Sequence, residues 1–258
     1  MNARGNTDQE YIPSLEKGLA VIALFSAEHP DLTLSQVARA LNLTPGSARR
    51  VLHTLETLGY LTCEENRFSL TTRVLQLGFA YLSSQPLAKV ARPVLMELAN
   101  TLHANCSIAV LDNTDVVYVA RATYRLIKRD FVALGSRFPA HATSPGKVLL
   151  ATLPDEELRK RYKNKPIEQF TPNTVGSVKA LQSELVEVRA QGYAINDQQT
   201  FLGHRSVAIP LQVDGHTVAA LLAGSQVSNV TVAMLREEHL GALRKAADQL
   251  AQLAAALA

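Results

Sequence analysis

The chain has 258 residues, 47% of them hydrophobic and 19% charged, with a formal net charge of +3 and two cysteines. No run of about eighteen apolar residues marks a membrane span, and nothing at the start reads as a signal peptide. Cys63 and Cys106 have neither metal-ligand spacing nor disulfide logic, so a cytoplasmic protein without metal or cofactor is expected, long enough for a small domain and a larger one with its own core.

In residues 14–26, Leu15, Leu19, Ile22 and Phe25 recur at helical spacing, and Ser14 after Pro13 is the expected N-cap. Thr33 is expected to cap a second helix with Leu34, Val37, Ala38 and Leu41 on one face. Asn42 would end it, and Leu43 would plug the turn. Thr44 before Pro45 starts a third helix over about residues 45–58, because a proline at the first helical position loses no intrahelical bond. At 100° per residue, Ala48, Val51, Leu52, Leu55 and Leu58 share one side. Gly46, Arg50, His53 and Thr57 share the other, flanked by Ser47, Arg49 and Thr54. Residues 60–70 read as two strands around a Glu64-Glu65-Asn66 turn, a wing whose Arg67 is aimed at a phosphate or the minor groove.

An apolar stripe opposite short polar and basic residues is what a recognition helix needs. The expected DNA contacts are Ser35, Arg39, Thr44, Gly46, Ser47, Arg49, Arg50, His53, Thr54 and Arg67, with Arg50 reading a guanine. Residues 1–85 nevertheless hold seven Lys or Arg against eight Asp or Glu, although the whole chain has a pI near 8.9. Affinity for duplex DNA then rests on local placement and on doubling through a dimer. A small helical protein-protein module is the alternative.

Residues 71–82 read as a helix with a wide apolar surface (Val74, Leu75, Leu77, Phe79, Leu82), suited to a partner chain. The expected division is 1–70, a linker at 71–85, and a second domain at 86–258 that opens with a helix at 87–102. Strands at 107–111 and 116–120 flank an Asp112–Asp115 turn, and 131–134 adds another. Helices are expected at 144–152, 155–162 and 178–191, strands at 193–197, 206–213 and 218–223, and a long amphipathic helix at 231–257. Asp214-Gly215 is a hairpin turn. An antiparallel sheet flanked by helices makes this an α+β sensor-like domain, and the whole chain α/β mixed.

Two clusters bear on ligand binding. In GSRFPAHATSPGK a phosphate loop is excluded, because His141 stands where its first glycine belongs and Val148 follows Lys147. What remains is a helix start around Ser144–Gly146 able to hold a carboxylate, with Arg137 and His141 nearby; a structural loop explains the same residues equally well. The second cluster, 196–206, is polar between two strands, and unaided it reads as an ordinary loop. Arg121, Arg125, Lys128 and Arg129 read as a solvated basic face. Cys106 with His103 or His141, or Ser144 with His141 and Asp197, lies in no nucleophile signature, so no enzyme is expected.

Taken together, LTLSQVARALNLTPGSARRVLHTLETLGYL, HATSPGK and GHRS, with YIPSLEKGLAVIALF and AALLAGSQ at their flanks, resemble the IclR family of transcriptional regulators. RFPAHATSPGKVLLA and YLSSQPLAKVARPVL are most similar to its PcaR/PobR-type branch, which responds to aromatic acids. The resemblance implies a winged helix-turn-helix domain, a dimerising linker helix and a GAF-like effector domain that often pairs dimers into tetramers. It also implies a palindromic or repeated operator and a small organic acid effector. Its pocket is carried over to Ser144, Pro145, Gly146, Asn196, Asp197, Ser206, Leu222 and Gly224, with Arg137, His141, Ala142 and Arg205 as further candidates. Glyoxylate and pyruvate sensors of the family carry serines in place of Leu222 and Gly224 and an acid in place of Asn196. A larger, partly apolar carboxylate is therefore expected, with a glyoxylate- or pyruvate-like acid as the alternative. His204 stands where the family's G-L-R-S stretch has leucine.

Overall fold

A computed structural model describes residues 11–84, 86–124 and 132–256. The chain divides into two compact units, with the boundary between Tyr81 and Leu82.

In the first unit, α1 (Pro13–Ala23) starts on its proline, with Ile12 as an uncapped N-cap, so Ser14 lies inside the helix rather than capping it. Val21 is its buried residue, whereas Leu15 and Leu19, expected to pack, are mostly exposed. A strand that no alternation announced, β1 (Asp31–Thr33), precedes α2 (Leu34–Ala40). Thr33 and Gln36 form the reciprocal box that satisfies the first free N–H groups: Gln36 N–H donates to Thr33 Oγ1 at 3.3 Å and Thr33 N–H to Gln36 Oε1 at 2.8 Å. Asn42 at φ +50° ends the helix, and Leu43 N–H closes the turn on Ala38 O at 2.8 Å.

Thr44 accepts from Ser47 N–H at 3.2 Å and starts α3 (Pro45–Thr57). Ala48, Leu52 and Leu55 bury its inner face against Val21, Val37 and Leu61, while Leu58 stays half exposed beyond the helix end. The wing is β2 (Leu61–Glu64) and β3 (Arg67–Leu70), turning on Glu65 and Asn66, both at positive φ as a two-residue hairpin requires. β1 pairs with the outer edge of β3, completing a three-stranded sheet. Thr71 then caps a 3-10 turn (Thr72–Val74) that leads into α4 (Leu75–Ser84), whose Leu75 and Phe79 are 67% and 70% exposed.

The second unit opens with α5 (Pro86–Leu102), which carries Pro93 in its interior. Strands β4 (Asn105–Asp112), β5 (Asp115–Ala122), β6 (Arg137–Pro139), β7 (Ala194–Asp197), β8 (His204–Val213) and β9 (His216–Gln226) form one antiparallel sheet, in the order β6-β5-β4-β9-β8-β7. The edge strand is β6, not 131–134: Val132–Leu134 is irregular, and Phe131 lies outside the described residues. On one face Ile108, Val207, Ile209 and Leu221 pack with the helices α5 and α10 (Leu240–Ala255). The other face is lined with small residues, Ala109, Ala194, Ala208 and Ala220, which let α6 (Ser144–Ala151) approach closely, and α8 (Val178–Gln191) packs on α6. Between them runs α7 (Asp155–Tyr162). Burial on both faces is why these strands read as continuous apolar runs.

The expected single closing helix is interrupted. A short α9 (Val232–Met234) passes through a π-turn (Leu235–His239) into α10, and residue 257 lies outside the described residues. The fold is thus mixed α/β, a winged helix-turn-helix unit and an α+β unit. No helix among the described residues is long and apolar enough to cross a membrane.

Candidate functional site

The outer face of α3 carries the expected DNA contacts. Gly46, Arg49, Arg50, His53 and Thr54 are exposed there, as are Thr44 just before it and Ser35 and Arg39 on α2, while Ser47 is half-buried. Among the described residues no ion pair engages Arg39, Arg49 or Arg50. His53 Nδ1 lies 3.8 Å from Glu56. Thr54 folds its hydroxyl onto Arg50 O at 2.8 Å, leaving it able only to accept. Arg67 departs from expectation, since its guanidinium is paired with Asp31, which the unforeseen β1 brings alongside. The wing cation is thus already paired with an acid of its own sheet.

In the second unit a cavity of about 670 Å³ lies on the α6 side of the sheet. That volume suits a small organic molecule. Its walls are aromatic: Tyr118, Phe138 and Phe201 meet edge to face, with ring centroids 5.8 and 5.7 Å apart, and Phe170 and Leu222 continue the apolar surface. Polar groups enter from Asn105 and Ser107 on β4, Arg121 on β5, Thr171 and Thr200 in loops, and His204 on β8. A register shift between Ile108 and Ala109 sets Arg121 opposite Ser107 yet Tyr118 opposite Ala109, so two residues three apart share one face. Arg121 is therefore a cavity residue rather than part of a solvated basic face; Arg125, Lys128 and Arg129 lie outside the described residues.

Of the expected effector residues, Leu222 and Gly224 line this cavity. Arg137 does not, because its guanidinium is held at the hairpin end by Asp112 at 2.7 Å and Asp115 at 3.4 Å. Pro145 and Gly146 are buried in the packed start of α6, and Ser144 Oγ bonds Ser206 Oγ at 2.8 Å. His141 is buried against Phe170 and Tyr162, with Nε2 2.9 Å from Glu168 O. Asn196 donates to Ala142 O at 3.1 Å and Thr200 Oγ1 at 2.9 Å, and accepts from Gln199 N–H at 2.8 Å. Arg205 bridges Asp197 and Val230 O, both at 2.8 Å, and holds the Asp197 carboxyl below the usual range. Of these, Asn196 holds the side chain of Thr200, which lines the cavity.

No catalytic set forms among them. Ser144, His141 and Asp197 each bond elsewhere, and burial pushes the Cys106 thiol up to about 12, so it carries no thiolate at neutral pH. Burial also holds the imidazoles of His141 and His239 below their ordinary value. The unfolded chain then takes up protons near pH 6.5 while the folded one does not, so stability present above that pH is lost as pH falls through and below it. The melting temperature is expected to drop between pH 7 and pH 5.5, and His239→Leu to reduce the slope. A calorimetric pH series checks both.

The comparisons agree with this architecture. Residues 14–64 match the IclR helix-turn-helix domain, and residues 79–252 the bacterial transcriptional regulator IclR C-terminal domain. The chain is 38% identical over 254 residues to the p-hydroxybenzoate hydroxylase transcriptional activator of Acinetobacter baylyi, covering 95% of this chain and 93% of that protein. It is 37% identical over 246 residues to the Pca regulon regulatory protein of Pseudomonas putida, covering 94% and 84%. A solved structure of the inducer-binding domain of an Acinetobacter PobR double mutant, in complex with 3-hydroxybenzoic acid, is similar at 35% identity and a TM-score of 0.58, over 63% of this chain and 96% of that one. With both units matched, a capped recognition helix in the first and a ligand-sized cavity in the second, the chain belongs to the IclR family of bacterial transcriptional regulators.

Proposed function

We propose that the protein regulates an aromatic-acid catabolic operon from the cytoplasm as a homodimer or dimer of dimers on a palindromic or repeated operator, and that a small aromatic carboxylate bound in the cavity sets its affinity for DNA. The observation that carries this reading is an aromatic-walled cavity with Arg121 among its lining residues. Flat apolar walls favour a ring, and a guanidinium favours a planar carboxylate. The names of the two relatives point the same way. The exposed apolar surface of α4 is the natural dimer contact, and two recognition helices compensate for the near-neutral charge of the DNA-binding unit. The acid changes DNA affinity insofar as it and DNA favour different arrangements of the dimer.

Calorimetry with benzoate and glyoxylate tests the cavity. Benzoate is expected to bind and glyoxylate to bind more weakly; a strong preference for glyoxylate overturns the reading. Arg121→Leu is expected to weaken benzoate binding roughly 10- to 100-fold, the worth of a charged hydrogen bond. On the DNA side, Arg50→Ala should lose about 1–3 kcal/mol per half-site and relax specificity at one base position. Unchanged affinity and specificity at fixed salt would remove Arg50 from the recognition set.

A further inference from the structure

The cavity also contains His204, on β8, far from Arg121 on β5. Arg121 stands opposite Ser107, in line with Leu222 on β9 and Ala208 on β8. His204 is therefore three strands across, about 14 Å at ~4.8 Å per strand, and four residues further along, about 14 Å at ~3.4 Å per residue. Tyr118, Phe201 and Leu222 contribute apolar surface to the same cavity. The imidazole lies against bare backbone: a Cβ built on Gly224 would meet His204 Nε2 at 3.0 Å and Ser206 Cβ at 3.4 Å. Glycine at 224 is thus what admits the ring. The backbone that carries it is fixed, since His204 O accepts from Gln198 N–H at 2.9 Å and Gln198 O accepts from Thr171 Oγ1 at 2.7 Å.

Resting on the aromatic-carboxylate reading above, we propose that His204 is a specificity-determining residue, selecting an acid that carries a hydroxyl on the ring edge remote from its carboxylate. The cavity is two-ended: the Arg121 guanidinium takes the carboxylate, aromatic side chains take the ring, and the imidazole takes the far substituent. A hydroxyl donates and accepts, so it pairs with either imidazole tautomer, whereas a methyl group of similar size pairs with neither. A site built around such a polar group discriminates strongly against an analogue that lacks it.

Calorimetry on the full-length protein with benzoate, 3- and 4-hydroxybenzoate and 3- and 4-methylbenzoate tests the assignment. The wild type is expected to bind one hydroxybenzoate at least about tenfold more tightly than its methyl counterpart. His204→Leu should bring that ratio to within about twofold of unity, and His204→Gln, which keeps a donor and an acceptor, should retain part of it. Gly224→Ala, which displaces the ring, should lower the ratio as well. Arg121→Leu should weaken both members of each pair alike and leave the ratio in place. A ratio unchanged in His204→Leu, with the acids still bound, overturns the proposal alone. Failure of the wild type to bind any of the five overturns the cavity reading beneath it.

Discussion

Gly146→Ala is expected to destabilise the second unit by at least about 3 kcal/mol, at or beyond the usual limit for overpacking. A Cβ at this position would lie 2.2 Å from Ala140 O, 2.3 Å from Ala140 Cα and 2.6 Å from Ala140 C. These are backbone atoms, so no rotamer change relieves the clash. The 3-10 turn that bears them (Ala140–Ala142) is itself held, with Ala140 N–H on Thr114 O at 2.8 Å and Ala142 O accepting from Asn196. Either the first turn of α6 moves off the sheet or the turn breaks from Thr114. Urea unfolding followed by circular dichroism reads the loss directly. A wild-type midpoint in the alanine variant would mean that the turn yields freely and that Gly146 is not tightly packed against Ala140.

Lys147→Met, one residue along, is expected to lose about 3 kcal/mol by removing one partner of a buried pair. Lys147 is fully buried, and its Nζ donates to Glu184 on α8 and to Gln199 in the loop between β7 and β8. Burial lowers its pKa, and the contact with Glu184 counteracts this. Glu184 keeps partial access to solvent, which places the loss at the low end for such pairs. The double variant Lys147→Met/Glu184→Met should be more stable than the single one, because no carboxylate then remains without its cation. Additive losses would show that the two side chains do not act as a pair. The same lysine braces the loop that carries Thr200 and Phe201 into the cavity, so the single variant should also bind effector more weakly.

The parts of this molecule legible in its sequence are those made by neighbours a few residues apart. Thr33 with Gln36, Thr44 with Pro45, Asn42 at its positive φ and the Asp214-Gly215 hairpin are each local interactions, and each lies where the residues indicate. The cavity is not of that kind. Arg121 looks like one of several surface cations, and only the extra residue on β5 opposite Ile108 and Ala109 turns it to the face that carries Tyr118. Arg137 looks like an anion anchor until Asp112, 25 residues earlier, claims it through the pairing of β5 with β6. Arg67 is claimed in the same way by Asp31 across a strand pair with no alternation to announce it. The HATSPGK segment reads as a binding loop because it is dense in glycine, proline and polar residues. In the fold the same residues also serve close packing at Gly146 and the burial of the Lys147 side chain.

The most direct test of an effector-controlled regulator is a fluorescence anisotropy titration of the full-length protein on its own upstream DNA and on a scrambled duplex, at fixed salt, with and without saturating aromatic acid. Sequence-specific binding is expected to be tighter than scrambled binding by roughly a thousandfold or more. The bound acid is expected to shift the specific dissociation constant roughly 5- to 150-fold. Equal affinity for both duplexes, or a constant that does not move while calorimetry shows the acid bound, would contradict the account.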